Sequence, residues 1–288
     1  MKRITFLAVF VALALGGLML PSLVSGQVYG PWGIYEDWSK ELIRPDRWIG
    51  SNDPGLEVKR EIKKIKVPET HGFVNGELVM RYRAAGSPSF PAGVVNGGAQ
   101  RLTIKGVPAE RITQMEADFR IKKYTLTGGC GTTRVRPAAI TLSKFNDGTP
   151  GEGAIGDHFV RINAERRWND TFPEGQFVVT AHIWRCGDVE CIGGNMVAFN
   201  PLIGFVTAEE WFTLRVNWDP LNNRFLVGLN NGTDKALYYG ASDTLPAKEP
   251  RADIRMQVNA QNCLNGPTEA DTEIQVGEVR TNESAVIP

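Results

Sequence analysis

Most of the chain alternates apolar and polar residues in short runs, each closed by Gly, Pro, Asn or Asp. The clearest runs are "GELVMRYRAAG", "RLTIKGV", "QMEADFRIKKY", "AAITLSKF", "HFVRINA", "QFVVTAHIW", "FTLRVNW", "RFLVGL", "ADIRMQVNA" and "TEIQVGEVRT". A period of two is the spacing of a strand with one face buried and one face open. So many strands cannot lie flat in one layer, so two stacked antiparallel sheets or a closed barrel are expected. No long amphipathic helix competes; Thr207-Ala208-Glu209-Glu210 has the chemistry to start a single turn.

The stretch "VNWDPLNNRFLVGLNNG", Val216 to Gly232, is rich in Asn and aromatic residues and could be taken for a sugar site. Its alternation favours a hairpin. Phe212, Leu214, Val216 and Trp218 share one side, while Thr213, Arg215 and Asn217 share the other. Asp219-Pro220-Leu221-Asn222-Asn223 supplies turn chemistry, and Phe225, Val227 and Leu229 return on one face. Trp218 is therefore read as a core residue, and Asn230-Asn231-Gly232 as a further turn.

The amino terminus adds a location. Met1-Lys2-Arg3 is followed by an apolar run from Ile4 to Leu20, then Pro21, then small residues ending at Ser25-Gly26. That order is expected of a secretory signal occupying residues 1–26, with the mature chain starting near Gln27. An uncleaved anchor is the alternative; Gly16, Gly17, Thr5 and Pro21 disfavour it. The short Lys-Arg start suits a bacterial signal, in which case the sequons at Asn169, Asn231 and Asn282 carry no sugar. Residues 27–288 are then expected to form one domain in a secreted or periplasmic protein, with no membrane attachment after cleavage.

The whole chain carries 32 basic and 32 acidic side chains, and losing Lys2 and Arg3 leaves a formal charge of −2. Such a balance excludes a nucleic-acid footprint. Four cysteines in an exported chain argue for two disulfides. Three pairings can be drawn. The favoured one closes the "CGDVEC" loop through Cys186 and Cys191 and joins Cys130 to Cys263. Zinc is not supported, since no C-x-x-C pair or nearby histidine is present.

Three segments resemble the concanavalin A-like lectin/glucanase (laminin G-like) superfamily. "EWFTLRVNWDPLNNRFLVGLNNG" resembles the back-sheet hairpin of these sandwiches, "IYEDWSKELIRPDRWIG" their opening, and "DTEIQVGEVRTN" the closing strand that pairs beside the first. The resemblance implies an all-β fold: a jelly-roll β-sandwich of two antiparallel sheets, concanavalin A-like, whose concave sheet handles carbohydrate in many relatives. It also implies a structural calcium where first and last strands meet in some relatives, with Asp37 and Glu278 as the matching acids here.

The chemistry is less defined. "QMEADFRIKK" puts Glu116, Asp118, Arg120 and Lys122 on the face opposite Ala117, Phe119 and Ile121. It is similar to the strand preceding the catalytic strand of retaining β-glucanases, where E-x-D-x-x-E or E-x-D-x-E supplies two carboxylates. Here Arg120 stands where a second working acid would be wanted, so the set is incomplete. Residues Phe177, Val179, Ala181 and Ile183 would pack inward, leaving His182 and Trp184 on an outer surface fit for sugar stacking beside Arg120 or Arg161. The plainer reading has Trp184 covering the Cys186 loop. The arginine, histidine and tyrosine motifs of uronate lyases are missing. "GEGAIG", Gly151 to Gly156, follows no strand and opens no helix, so it is a loop and not a dinucleotide site. No cofactor is implied beyond the calcium. The expectation is non-catalytic binding of a polysaccharide or other glycan through Glu116, Asp118, Arg120, Arg161, His182 and Trp184. A divergent glycoside hydrolase or polysaccharide lyase, and a structural envelope or adhesion protein, are the alternatives.

Overall fold

A computed structural model describes residues 32–39, 47–49, 70–74, 77–86, 92–191, 193–241, 243, 245–263 and 268–283. The expected signal segment lies outside the described residues. Among those described, no helix is long and apolar enough to cross a membrane.

The strands in chain order are β1 (Gly33–Glu36), β2 (Trp48–Ile49), β3 (Thr70–Val74), β4 (Glu77–Ala85), β5 (Val95–Ile104), β6 (Gln114–Thr127), β7 (Arg134–Asn146) and β8 (Asp157–Arg167). They continue with β9 (Gln176–Cys186), β10 (Gly194–Thr207), β11 (Trp211–Asp219), β12 (Arg224–Leu229), β13 (Lys235–Tyr238), β14 (Leu245–Gln261) and β15 (Glu269–Thr281). One sheet runs β13-β12-β11-β6-β15-β4-β3, with β1 also on β15; the other runs β10-β9-β8-β7-β14-β5-β2. Each strand pair described is antiparallel. This is the all-β jelly-roll sandwich the sequence predicts, and its first and last strands pair, Ile34 facing Arg280.

The period-two pattern explains the stacking. On β6, Met115, Ala117, Phe119 and Ile121 are fully buried; so are Phe177, Val179, Ala181 and Ile183 on β9, and Ile254, Met256 and Val258 on β14. These rows meet between the sheets in one core, where burial at ~25 cal/mol per Å² of apolar surface drives the association. Trp218 joins this core at its margin, half-buried, with Nε1 donating to Tyr239 Oη at 2.9 Å. The turn before β12 is a single 3-10 turn, Pro220–Asn222, ended by Asn223 in the left-handed region at φ 49°.

β10 has no counterpart among the predicted strands. As the outer strand of its sheet it exposes Met196, Phe199, Leu202 and Phe205, interrupts its pairing between Asn200 and Gly204, and contains Pro201. With no partner strand on one edge and proline inside, it shows no alternation to read.

Both disulfides join the favoured cysteine pairs, Cys130 with Cys263 and Cys186 with Cys191. The first links the connection leaving β6 to the one leaving β14. Each of these connections carries the chain from one sheet to the other.

Candidate functional site

The six residues expected to form one glycan site are divided between the two outer faces. Glu116, Asp118 and Arg120 lie on β6 in the eight-stranded sheet; Arg161 lies on β8, and His182 and Trp184 on β9, in the seven-stranded sheet. With the core between the sheets, the two groups cannot meet. Strand alternation says which side chains point outward; it does not say which sheet a strand joins.

On the eight-stranded sheet the carboxylates are already engaged. Arg280 donates to Glu116, to both oxygens of Asp118 at 3.0 and 3.1 Å, and to Glu278 at 2.6 Å. Thr213 Oγ1 donates to Asp118 at 2.6 Å, and Arg120 donates to Gln275 at 2.7 Å and to Glu77 at 3.3 Å. The guanidinium of Arg120 also lies 4.8 Å from the Trp211 ring centroid. A hollow of about 220 Å³ beside this network is lined by Glu77, Asp118, Trp211, Thr213, Asn230 and Gly277, whose acids are held by the contacts just named. Such a mutually saturated network ties four strands together, β4, β6, β11 and β15, and leaves little to offer a ligand.

The register of β1 on β15, Glu36 facing Val279, brings the expected calcium ligands Asp37 and Glu278 to neighbouring positions, each with another contact. Glu278 is paired with Arg280, and Asp37 accepts the Ser39 backbone N–H at 3.0 Å. Among the described residues no group of three or more His, Cys, Asp or Glu could hold a metal ion.

The outer face of the seven-stranded sheet is different. Pairing register sets its side chains in rows across the strands. One row reads His182, Arg161, Thr141, Asp253 and Thr103, from β9 to β5. The next reads Thr180, Asn163, Ala139, Arg255 and Arg101. With strands ~4.8 Å apart, each row spans about 19 Å. Asn163 donates to Thr180 Oγ1 at 3.1 Å, while its own Oδ1 is buried without a hydrogen-bond partner. Ala139, 2% exposed, stands between Asn163 and Arg255 in that row and offers no polar group of its own. At the lower end, Glu165 accepts from Arg136 and from Arg167 at 2.6 Å, with Arg134 at 4.0 Å. Trp184 and Phe159 flank the upper end opposite each other on β9 and β8.

His182 was expected on an open surface. It is on the outer face, yet only 8% exposed, because neighbours on adjoining strands shield it. Burial, and then the charges of Arg161 and Arg136, push its pKa down to about 3, so the imidazole is neutral. Trp184 is half-buried against the small cluster of Ala154, Phe159 and Cys186, as the plainer reading has it. Gly194 permits this: a Cβ there would lie 2.6 Å from Trp184 Nε1 and 2.0 Å from the Arg185 carbonyl oxygen.

Electrostatically this face is strained toward positive charge. Arg101, Arg134, Arg136, Arg161, Arg167, Arg251 and Arg255 project from it against Glu165, Asp253 and the Glu249 that pairs with Arg251. Burial lowers Arg255 to about 10, as it does Arg134, and pushes Arg161 well below the usual arginine range with Arg255 adding to the effect. Withdrawing such ions from water costs several kcal/mol each unless paired. Glu165 is kept below the ordinary glutamate value: burial alone would raise it, and Arg136 and Arg134 outweigh that.

Sequence reading missed Arg101, Arg134, Arg136, Arg255, Asp253 and Asn163. Arg134-x-Arg136 and Asp253-x-Arg255-x-Gln257 carried the signal, since charged residues alternating with buried ones mark an outward row. Only strand adjacency turns them into a cluster.

No protein-family model matches the chain, and neither does any curated protein. Among solved structures the chain is similar to LamAcat from Zobellia galactanivorans, with 13% identity, 86% of this chain and 96% of that chain covered, and a TM-score of 0.47. It is similar to a β-glucanase from Bacillus licheniformis at 13% identity, covering 88% and 98%, TM-score 0.42. It is also similar to the alginate lyase Aly36B at 11% identity, covering 76% and 85%, TM-score 0.39. At such identities and scores, what those proteins act on does not carry over to this chain.

Proposed function

We propose that the protein is exported and recognises carbohydrate, without cleaving it, through the outer face of the seven-stranded sheet. The observation that carries this reading is the pair of cross-strand rows from His182 to Thr103 and from Thr180 to Arg101. Sugars offer closely spaced hydroxyls, and a rigid floor of alternating donors and acceptors with an aromatic edge matches them. Here Thr180, Arg161 and Arg255 supply the accessible polar groups, with Asn163 and Thr141 buried beneath them as support, and Phe159 and Trp184 supply the ring surfaces. Two disulfides support export, since such bonds persist in oxidising compartments.

Hydrolase or lyase chemistry has less support. Glu165 is tied to arginines, and an imidazole titrating at about 3 is a weak base at neutral pH. A glycan array tests the reading: binding is expected, lost in Asn163→Leu and kept in Glu116→Gln, with no new reducing ends or unsaturated products. No glycan above background would refute recognition. Product that disappears on His182→Ala would replace binding with catalysis.

A further inference from the structure

We infer that the glycan is an anionic one, and that its acidic groups are taken by Arg161 and Arg255. This rests on the outer face of the seven-stranded sheet being the carbohydrate site, and it names the chemical class that site accepts.

The two sheets treat their arginines differently. On the eight-stranded sheet Arg81 pairs with Asp271, Arg120 with Glu77, Arg215 with Asp234 and Arg280 with three acids. On the other face, among the described residues, neither Arg161 nor Arg255 forms an ion pair. Arg161 donates only to Thr141 Oγ1, at 3.3 Å, and lies 5.2 Å from the Phe159 ring centroid. Arg255 Nε is buried with no hydrogen-bond partner. Directly across from Arg255 stands Arg101, a like-charged cross-strand pair of the kind that destabilises a sheet.

Asp253, on the neighbouring row, offsets part of this charge but not all of it. Its Oδ1 is itself buried without a hydrogen-bond partner. An arginine fork matches a carboxylate or a sulfate ester with two parallel hydrogen bonds. Ala139 stands between Asn163 and Arg255 without a polar group, and Arg161 lies on the adjoining row, so an acidic group laid over this part of the face meets both arginines. The chain as a whole is neutral, with 32 basic and 32 acidic groups, so this is a local site and not a generally basic surface.

Matched polymers test the inference by affinity electrophoresis or calorimetry: polygalacturonate against its methyl ester, and dextran sulfate against dextran. Binding of at least one charged polymer is expected to exceed that of its neutral counterpart by about tenfold or more. Which of the two it is separates a carboxylate from a sulfate ester. Arg255→Met and Arg161→Met should each weaken that binding by about tenfold, with Arg255→Lys in between. For Arg255→Met the thermal midpoint should stay level or rise; a merely structural arginine would lower it. Neutral polymers bound as tightly, or charged binding unmoved by both methionine variants, would overturn the anionic assignment and leave carbohydrate recognition standing. Silence on all four polymers would overturn both.

Discussion

His182 illustrates how one side chain reports on its face. In the unfolded chain its imidazole titrates near 6.5, and in the fold at about 3, with burial, Arg161, Arg136 and Arg255 opposing the proton and Glu165 favouring it. The depressed value means that the fold prefers the neutral ring. Its stabilising contribution is complete above pH 6.5 and is lost as pH falls toward 3. Urea midpoints should therefore decline through that window, and His182→Gln should flatten the decline. Arg280 is the opposite case. Removing it leaves Glu116, Asp118 and Glu278 facing one another, so Arg280→Ala should cost about 1–3 kcal/mol in urea unfolding without touching glycan binding. That Glu116, Asp118 and Arg120 point outward was legible in their spacing. Their partners were not, because Arg280, Glu77 and Gln275 come from distant strands.

At the scale of the element, the β11–β12 hairpin shows how far alternation reaches. Both strands, the inward rows and the Asp-Pro turn were readable, and Trp218 faces Phe225 in register as its position predicts. Asn223 holds a left-handed φ of 49°, which glycine tolerates and alanine does not. Asn223→Gly should change the thermal midpoint little, while Asn223→Ala should lower stability by about 1 kcal/mol. β10 escaped detection for the reason given by its place at the sheet edge. Its bulge and Pro201 also make it a poor template for another strand.

Taken as a molecule, the chain hides its most telling property in an average. Zero net charge conceals a sheet where acids and arginines are matched and another where arginines outnumber acids. Composition could not separate them, since the separation depends on which strands share a layer. The bond between Cys130 and Cys263 closes 133 residues and joins two crossings between layers. Loop entropy on that scale amounts to about 5 kcal/mol, against about 2 for the Cys186–Cys191 loop. Replacing the first pair with serines should lower the thermal midpoint far more than replacing the second.

β15 lies between β6 and β4, although it follows both in the chain by many residues. The middle of one layer is thus filled by the strand that leaves the ribosome after every other one described. Every strand of the seven-stranded sheet precedes β15, but no nascent fragment without β15 holds a finished eight-stranded sheet, so that layer cannot close in step with synthesis and must wait for its last strand. Contacts of such long range make that step slow, and a chain that stays extended that long suits the export proposed above.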